Sequence, residues 1–112
     1  MEYKEHVKSI IDKVRDDFTV LGMFAFSGSG DVQQVNDCFW RAYDAAREAE
    51  PLVSEQLKKT GKEMPEIVEW SAIEGFRIVV GQAGFPVMMA NSHLYGVYTM
   101  QLNRFFMMAQ TV

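Results

Sequence analysis

The first segment of the chain has the hydrophobic periodicity of an amphipathic helix. Apolar residues recur at the spacing of one helix face, and charged residues fill most of the remaining positions. No glycine or proline interrupts the segment, so the pattern predicts one helix with a solvated outer face. The apolar face comprises Val7, Ile10, Ile11, Val14 and Phe18.

Residues 19–27 have a different pattern, because both alternating sets of positions are apolar. A strand that is apolar on both faces is typical of the middle of a sheet covered on both sides. The following Ser27-Gly28-Ser29-Gly30-Asp31 is typical of a hairpin turn, and residues 32–35 predict a short returning strand. This glycine-rich stretch lacks the lysine and the Ser or Thr that a phosphate-binding loop requires.

A second, longer helix is predicted next, with Asn36 or Asp37 as its N-cap. Pro51 predicts a kink or a fresh start, because proline donates no backbone hydrogen bond and crowds the preceding turn. The helix is predicted to end after two lysines, at Gly61. Its apolar stripe comprises Phe39, Trp40, Tyr43, Ala46, Ala49, Leu52, Val53 and Leu57.

Three strand-like runs follow at residues 67–73, 76–81 and 85–91, and short separators between them predict an antiparallel meander. Ser92 then caps a last helix that is apolar around much of its circumference. Such a helix is either deeply buried or partly covered by another molecule. The order α-β-β-α-β-β-β-α predicts a single α+β domain over residues 1–112, with a five-stranded antiparallel sheet flanked by helices.

Charge and composition narrow the class of protein. The chain has 112 residues, with 11 basic and 15 acidic residues and a net charge of −4. This balance argues against a nucleic-acid partner, because nothing would neutralise a row of phosphates. No apolar run reaches the length of a membrane span, and the polar start is unlike a signal peptide. We therefore expect a cytoplasmic protein without membrane insertion.

The residues that carry chemistry do not form a catalytic or metal-binding constellation. Cys38 lies in the first turn of a predicted helix, where the thiolate form is favoured. It has no base nearby in sequence, so the simpler interpretation is that Cys38 is a small buried hydrophobic residue. His6 and His93 have no metal-ligand spacing. The eight methionines suit a core, a partner surface or a cofactor site. We expect no enzyme activity, no cofactor and no metal.

The chain resembles the roadblock/dynein light-chain family, within the longin- and profilin-like group of small α+β domains. The order of elements carries the resemblance, together with two stretches. One is Phe24-Ala25-Phe26-Ser27-Gly28-Ser29-Gly30. The other comprises Trp70, Gly75-Phe76, Val79-Val80 and Phe85-Pro86-Val87-Met88-Met89.

The resemblance implies a non-catalytic homodimer in which the third strands of two subunits pair and the second helices pack over the sheet. Such a dimer is implied to be a platform or regulator for a small Ras-like GTPase, or an adaptor in a larger assembly. Aromatic residues are the expected anchors of this interface. The predicted dimer residues are Trp40, Tyr43, Ile67, Val68, Glu69, Trp70 and Ala72.

Two other classes of function stay open. An antiparallel sheet flanked by helices also forms apolar pockets, so a small-molecule-binding sensor is the alternative. Its pocket would be lined by Phe24, Phe26, Trp70, Phe76 and Met88. An enzyme is the third interpretation, although the sequence offers no set of nucleophile, base and orienting residue.

Overall fold

The structure is a computed structural model that describes residues 2–27, 31–83 and 92–112. Every regular element in these ranges is an α-helix. The helices are α1 (Tyr3–Lys13), α2 (Arg15–Ser27), α3 (Val32–Lys59), α4 (Trp70–Ala83) and α5 (Ser92–Thr111).

The long helix α3 is the centre of the core, and α1, α2 and α5 all pack against it. Its buried side chains recur along its whole length, so the helix contributes to the core from its first turn to its last. They are Val35, Cys38, Phe39, Trp40, Ala42, Tyr43, Ala45, Ala46, Ala49, Val53 and Leu57. The four alanines among them allow the neighbouring helices to approach closely.

Local hydrogen bonds explain where α3 begins and ends. The Asp31 carboxylate accepts a hydrogen bond from the Gln33 backbone N–H at 2.9 Å, which is an N-cap. At the other end the Gly61 N–H donates to the Lys58 carbonyl, and the Lys62 N–H donates to the Leu57 carbonyl. This pair of bonds is a Schellman motif, and Gly61 has the positive φ of 73° that the motif requires. The predicted stop at Gly61 is confirmed.

Pro51 lies inside α3, which is continuous from Val32 to Lys59. The helix therefore does not start afresh at the proline. Pro51 is exposed, whereas Val53, two residues later, is fully buried. The apolar stripe thus continues beyond the position that lacks a backbone donor.

The first predicted helix exists as two helices separated at Val14. The Val14 N–H bonds to the Ile11 carbonyl, and the Val14 carbonyl accepts from the Phe18 N–H, so the chain re-enters a helix at once. Val14 itself is buried. The apolar periodicity therefore runs through a break in the helix.

The predicted α+β fold and the roadblock resemblance are wrong. Residues 19–27 belong to α2, residues 32–35 to the first turn of α3, and residues 70–83 to α4, while residues 67–69 precede that helix without regular structure. The run at 85–91 lies outside the described residues. Within the described ranges there is no strand. Short apolar runs fit a buried helix as well as a buried strand, and here the periodicity did not discriminate between them.

Aromatic side chains attach α4 to the rest of the core. The Phe76 ring lies 5.2 Å from that of Tyr95 on α5, and the Trp70 ring lies 5.4 Å from that of Phe105. Trp70 also packs 6.0 Å from Tyr43 on α3. Because each of these rings buries a large apolar area, a few contacts suffice to fix one face of α4 inward.

Candidate functional site

The side of α4 that points away from the core is exposed and carries no charge. Ile78 and Val79 are 61% and 49% exposed, which is high for aliphatic side chains of this size. We call this surface the α4 outer face. It comprises Ser71, Ala72, Gly75, Ile78, Val79 and Gln82, all of them exposed.

The charged residues of α4 lie along one edge of this face, toward α3. The Arg77 guanidinium donates to both Asp44 oxygens, at 2.9 and 3.3 Å, and lies 5.0 Å from the centre of the Trp40 ring. The hydrogen bond to Asp44 raises the pKa of Arg77, so this edge stays charged over the physiological range. The α4 outer face is thus bordered by an ion pair and is itself uncharged.

The spacing along the α4 outer face is that of a helix-pairing seam. Ser71, Gly75, Ile78 and Gln82 follow one another at intervals of four, three and four residues, which is the a/d pattern of a heptad. The small residues lie toward the start of the helix and the large ones toward its end. A Cβ built at Gly75 would meet nothing within 4 Å, so the space above this glycine is open.

A second exposed apolar surface lies between α2 and α5. This α2–α5 groove has a volume of about 690 Å³. Val97 and Met100 are largely exposed there, so the apolar circumference of α5 that the sequence indicates is only partly covered. The groove is lined by Phe18, Gly22, His93, Gly96, Val97, Thr99, Met100 and Asn103.

A buried carboxylate on α2 is hydrogen-bonded to α3. Asp17 is buried and accepts hydrogen bonds from Arg41 at 2.8 and 3.1 Å. Arg41 also donates to the Cys38 sulfur at 3.4 Å. Burial is the main cause that raises the pKa of the Cys38 thiol, and the neighbouring Asp17 raises it further. The neutral thiol is therefore favoured, which is the state of a structural cysteine.

The structure brings three of the predicted dimer residues together: the Tyr43 ring lies 5.7 Å from that of Trp40 and 6.0 Å from that of Trp70. Trp40 and Tyr43 lie in the core of the single chain, where their rings already pack against Phe76 and Trp70 of α4. Trp70 is half-buried. Ile67 and Val68 are half-buried in the segment before α4, whereas Glu69 and Ala72 are exposed. Strand pairing through residues 67–72 is therefore not available, because these residues are not in a strand.

The structure describes the side chains of three residues of the alternative pocket. Phe24 is half-buried on α2, and Trp70 and Phe76 pack in the aromatic core. The Phe26 side chain and Met88 lie outside the part that the structure describes. Sequence reasoning missed the α4 outer face, although the heptad spacing from Ser71 to Gln82 was a usable signal.

Comparisons with known proteins add no assignment. No family model matches the chain, and no curated protein or solved structure matches it either. Among the described residues no three His, Cys, Asp or Glu side chains form a group that would hold a metal ion. The described helices include none with the length and hydropathy needed to cross a membrane.

Proposed function

We propose that the chain is a non-catalytic interaction module that forms a symmetric homodimer through the α4 outer face. The observation that carries the proposal is the self-complementary order of small and large residues along this uncharged face. The expectation of a small GTPase partner came from the roadblock resemblance alone and loses its support with it.

An antiparallel pair of α4 helices brings small residues opposite large ones in every layer. We place the twofold axis at the middle of α4, between residues 76 and 77. In this register Gly75 opposes Ile78 of the second copy, and Ser71 opposes Gln82. Each Ile78 then enters the open space above a glycine, as a knob enters a hole. A twofold axis repeats each contact, which is the usual geometry of a homodimer.

The flanking positions support the same register. Ala72 lies beside Val79 of the second copy on one side, and Glu74 lies beside Gly81 on the other. These flanking pairs bring no like charges together, so no local charge repulsion opposes this register. Ala72 was among the predicted dimer residues, and homodimerisation itself stays a prediction.

The expected dimer is of moderate strength. A 14-residue helix is about 21 Å long, so one helix pair buries less surface than a standard protein interface. Burial of each Ile78 side chain contributes about 1.5–3 kcal/mol at most. We therefore expect a mass that changes from 12.8 kDa to twice this value over a dilution series in the micromolar range.

Substitution of Ile78 tests the surface, and Met107 supplies a matched control. Ile78→Glu buries a charge in the proposed interface and is expected to give monomers at every concentration. Met107→Glu changes a side chain that is equally exposed, at 60% against 61%, but lies on α5, and it is expected to leave the dimer intact. Sedimentation velocity over the dilution series reports both masses. A wild-type chain that is monomeric throughout would refute the proposal.

Cysteine cross-linking tests the register. A mixture of Ser71→Cys chains and Gln82→Cys chains is expected to form a disulfide between different chains under mild oxidation, because the two positions face each other in the antiparallel pair. Each variant alone is expected to stay reduced. Cross-linking of Ser71→Cys with itself would indicate parallel helices instead. The buried native Cys38 serves as an internal control in both chains.

The α2–α5 groove supports the second candidate, a small-molecule-binding sensor. Its volume of about 690 Å³ lies within the range of known ligand sites, and its walls are mainly apolar. A side chain at Gly96 would project into open space, so Gly96→Leu fills part of the groove. If the groove binds apolar ligands, this variant is expected to weaken binding of an apolar fluorescent dye. Unchanged dye binding would count against the sensor.

A further inference from the structure

A small pocket beside α1 combines a cationic rim with an apolar floor. It lies between α1, the first turn of α2 and the last turns of α5, and its volume is about 250 Å³. No acidic residue lines it, although the chain as a whole has a net charge of −4. The lining residues are Lys4, Val7, Lys8, Ile11, Arg15, Ala109 and Gln110.

The floor of the pocket is apolar and held in place. Val7 is 1% exposed and Ala109 is fully buried, so both belong to the core. The Tyr3 hydroxyl donates a hydrogen bond to the Ala109 carbonyl at 2.7 Å, which ties the start of α1 to the end of α5. The two walls of the pocket are therefore linked, and the pocket is formed before any ligand arrives.

The rim carries three cations, of which two are unpaired. Lys4 and Lys8 are exposed, and neither has an acidic partner within 4.0 Å among the described residues. Arg15 donates to Asp12 at 2.7 Å, and its side chain is 68% exposed. Lys4 and Lys8 lie one helical turn apart on α1, and Arg15 lines the same pocket from the first turn of α2.

We propose that this pocket binds a small organic anion with an apolar body and a single carboxylate or phosphate group. The apolar body packs against Ile11, the half-buried apolar side chain of the floor, and displaces water from it. The anionic group accepts hydrogen bonds from the lysine ammonium groups and the Arg15 guanidinium at the rim. The pocket is smaller than a typical drug-sized site, which limits the ligand to about one aromatic ring.

The competing explanation is that the lysines only stabilise the end of α5. Cations near the carboxyl end of a helix interact favourably with its dipole, and Ala109 and Gln110 are in the last turns of α5. That role needs no ligand and no apolar floor. The two explanations therefore differ in whether an added anion binds at all, and in whether its apolar body matters.

Phenyl phosphate, inorganic phosphate and benzyl alcohol are the probes, titrated at low ionic strength and followed by backbone amide chemical shifts. Phenyl phosphate is expected to bind about tenfold more tightly than either of the other two and to shift the amides of Val7, Ile11 and Ala109. Equal affinity for inorganic and phenyl phosphate would overturn the assignment to an organic anion. No shift at these amides would overturn the site.

The matched variants remove two charges each. Lys4→Gln with Lys8→Gln is expected to weaken phenyl phosphate binding about tenfold or more. Lys58→Gln with Lys59→Gln makes the same change in net charge on α3 and is expected to leave the affinity unchanged. Since all four lysines are exposed, both variants are expected to keep the fold. An equal loss in both pairs would show a nonspecific charge effect and refute the pocket.

Discussion

Two buried tyrosines in the same core differ in whether their hydroxyl group is hydrogen-bonded. Comparing them measures how much one hydroxyl changes the free energy of unfolding. Tyr43 and Tyr95 are 1% and 3% exposed, and both rings pack against other aromatic rings. The Tyr95 hydroxyl donates to the Asn36 side-chain oxygen at 2.9 Å. The Tyr43 hydroxyl is buried and has no partner within hydrogen-bonding distance among the described residues. Burial is the main cause that raises the pKa of Tyr43, and the nearby Glu74 carboxylate raises it further without closing a hydrogen bond. Substitution by phenylalanine removes the hydroxyl and keeps the ring in each case.

The two substitutions are expected to change stability in opposite directions. A buried polar group without a partner costs about 1–3 kcal/mol, so Tyr43→Phe is expected to raise the free energy of unfolding by about 1 kcal/mol. Tyr95→Phe removes a satisfied hydrogen bond worth about 0.5–1.5 kcal/mol. The Asn36 oxygen keeps the bond from the Trp40 indole N–H at 2.8 Å, so no further penalty arises there.

The difference between the variants is therefore about 2 kcal/mol, which corresponds to roughly 10 °C between their melting midpoints in a domain of this size. Urea unfolding followed by circular dichroism at neutral pH gives both free energies, and equal m-values would confirm that the compared states are the same. If Tyr43→Phe destabilises the protein as much as Tyr95→Phe does, the Tyr43 hydroxyl is hydrogen-bonded in the folded protein and the reasoning is refuted.

Two further predictions concern α3. Pro51→Ala supplies the missing backbone donor at an exposed position of α3. This variant is expected to raise the free energy of unfolding, measured by urea titration, by about 2 kcal/mol. A loss of stability would show that packing beyond Pro51 depends on the proline. The raised pKa of Cys38 predicts alkaline destabilisation. The folded chain keeps this proton and the unfolded chain loses it above about pH 8.5, so stability falls as the pH rises, by at most about 1.4 kcal/mol per pH unit, until the pH passes the folded pKa. Cys38→Ala is expected to lack this slope above about pH 8.5, and an unchanged slope would contradict the assignment to the thiol.

The sequence by itself determined the parts of the fold that depend on local chemistry. The amphipathic face around Val7 and Ile10 predicted a helix, because its spacing matches the helical repeat. Gly61 predicted the end of α3, because only glycine adopts its positive φ without strain. Ser92 predicted the start of α5. Each of these signals lies within a few residues of the feature that it specifies.

Only the tertiary structure decided the state of the apolar segments. Residues 19–27 and 76–81 are apolar at most positions, and such a run is compatible with a strand covered on two faces or with a helix buried on a broad one. The aromatic contacts of Phe76 and Trp70 with α5 select the helix for α4, and these contacts join residues far apart in the sequence. The tertiary structure also decided which apolar side chains are buried and which are exposed. Trp40 and Tyr43 have the residue types of interface anchors, but the packing of α4 against α3 places them in the core and leaves Ile78 and Val79 at the surface.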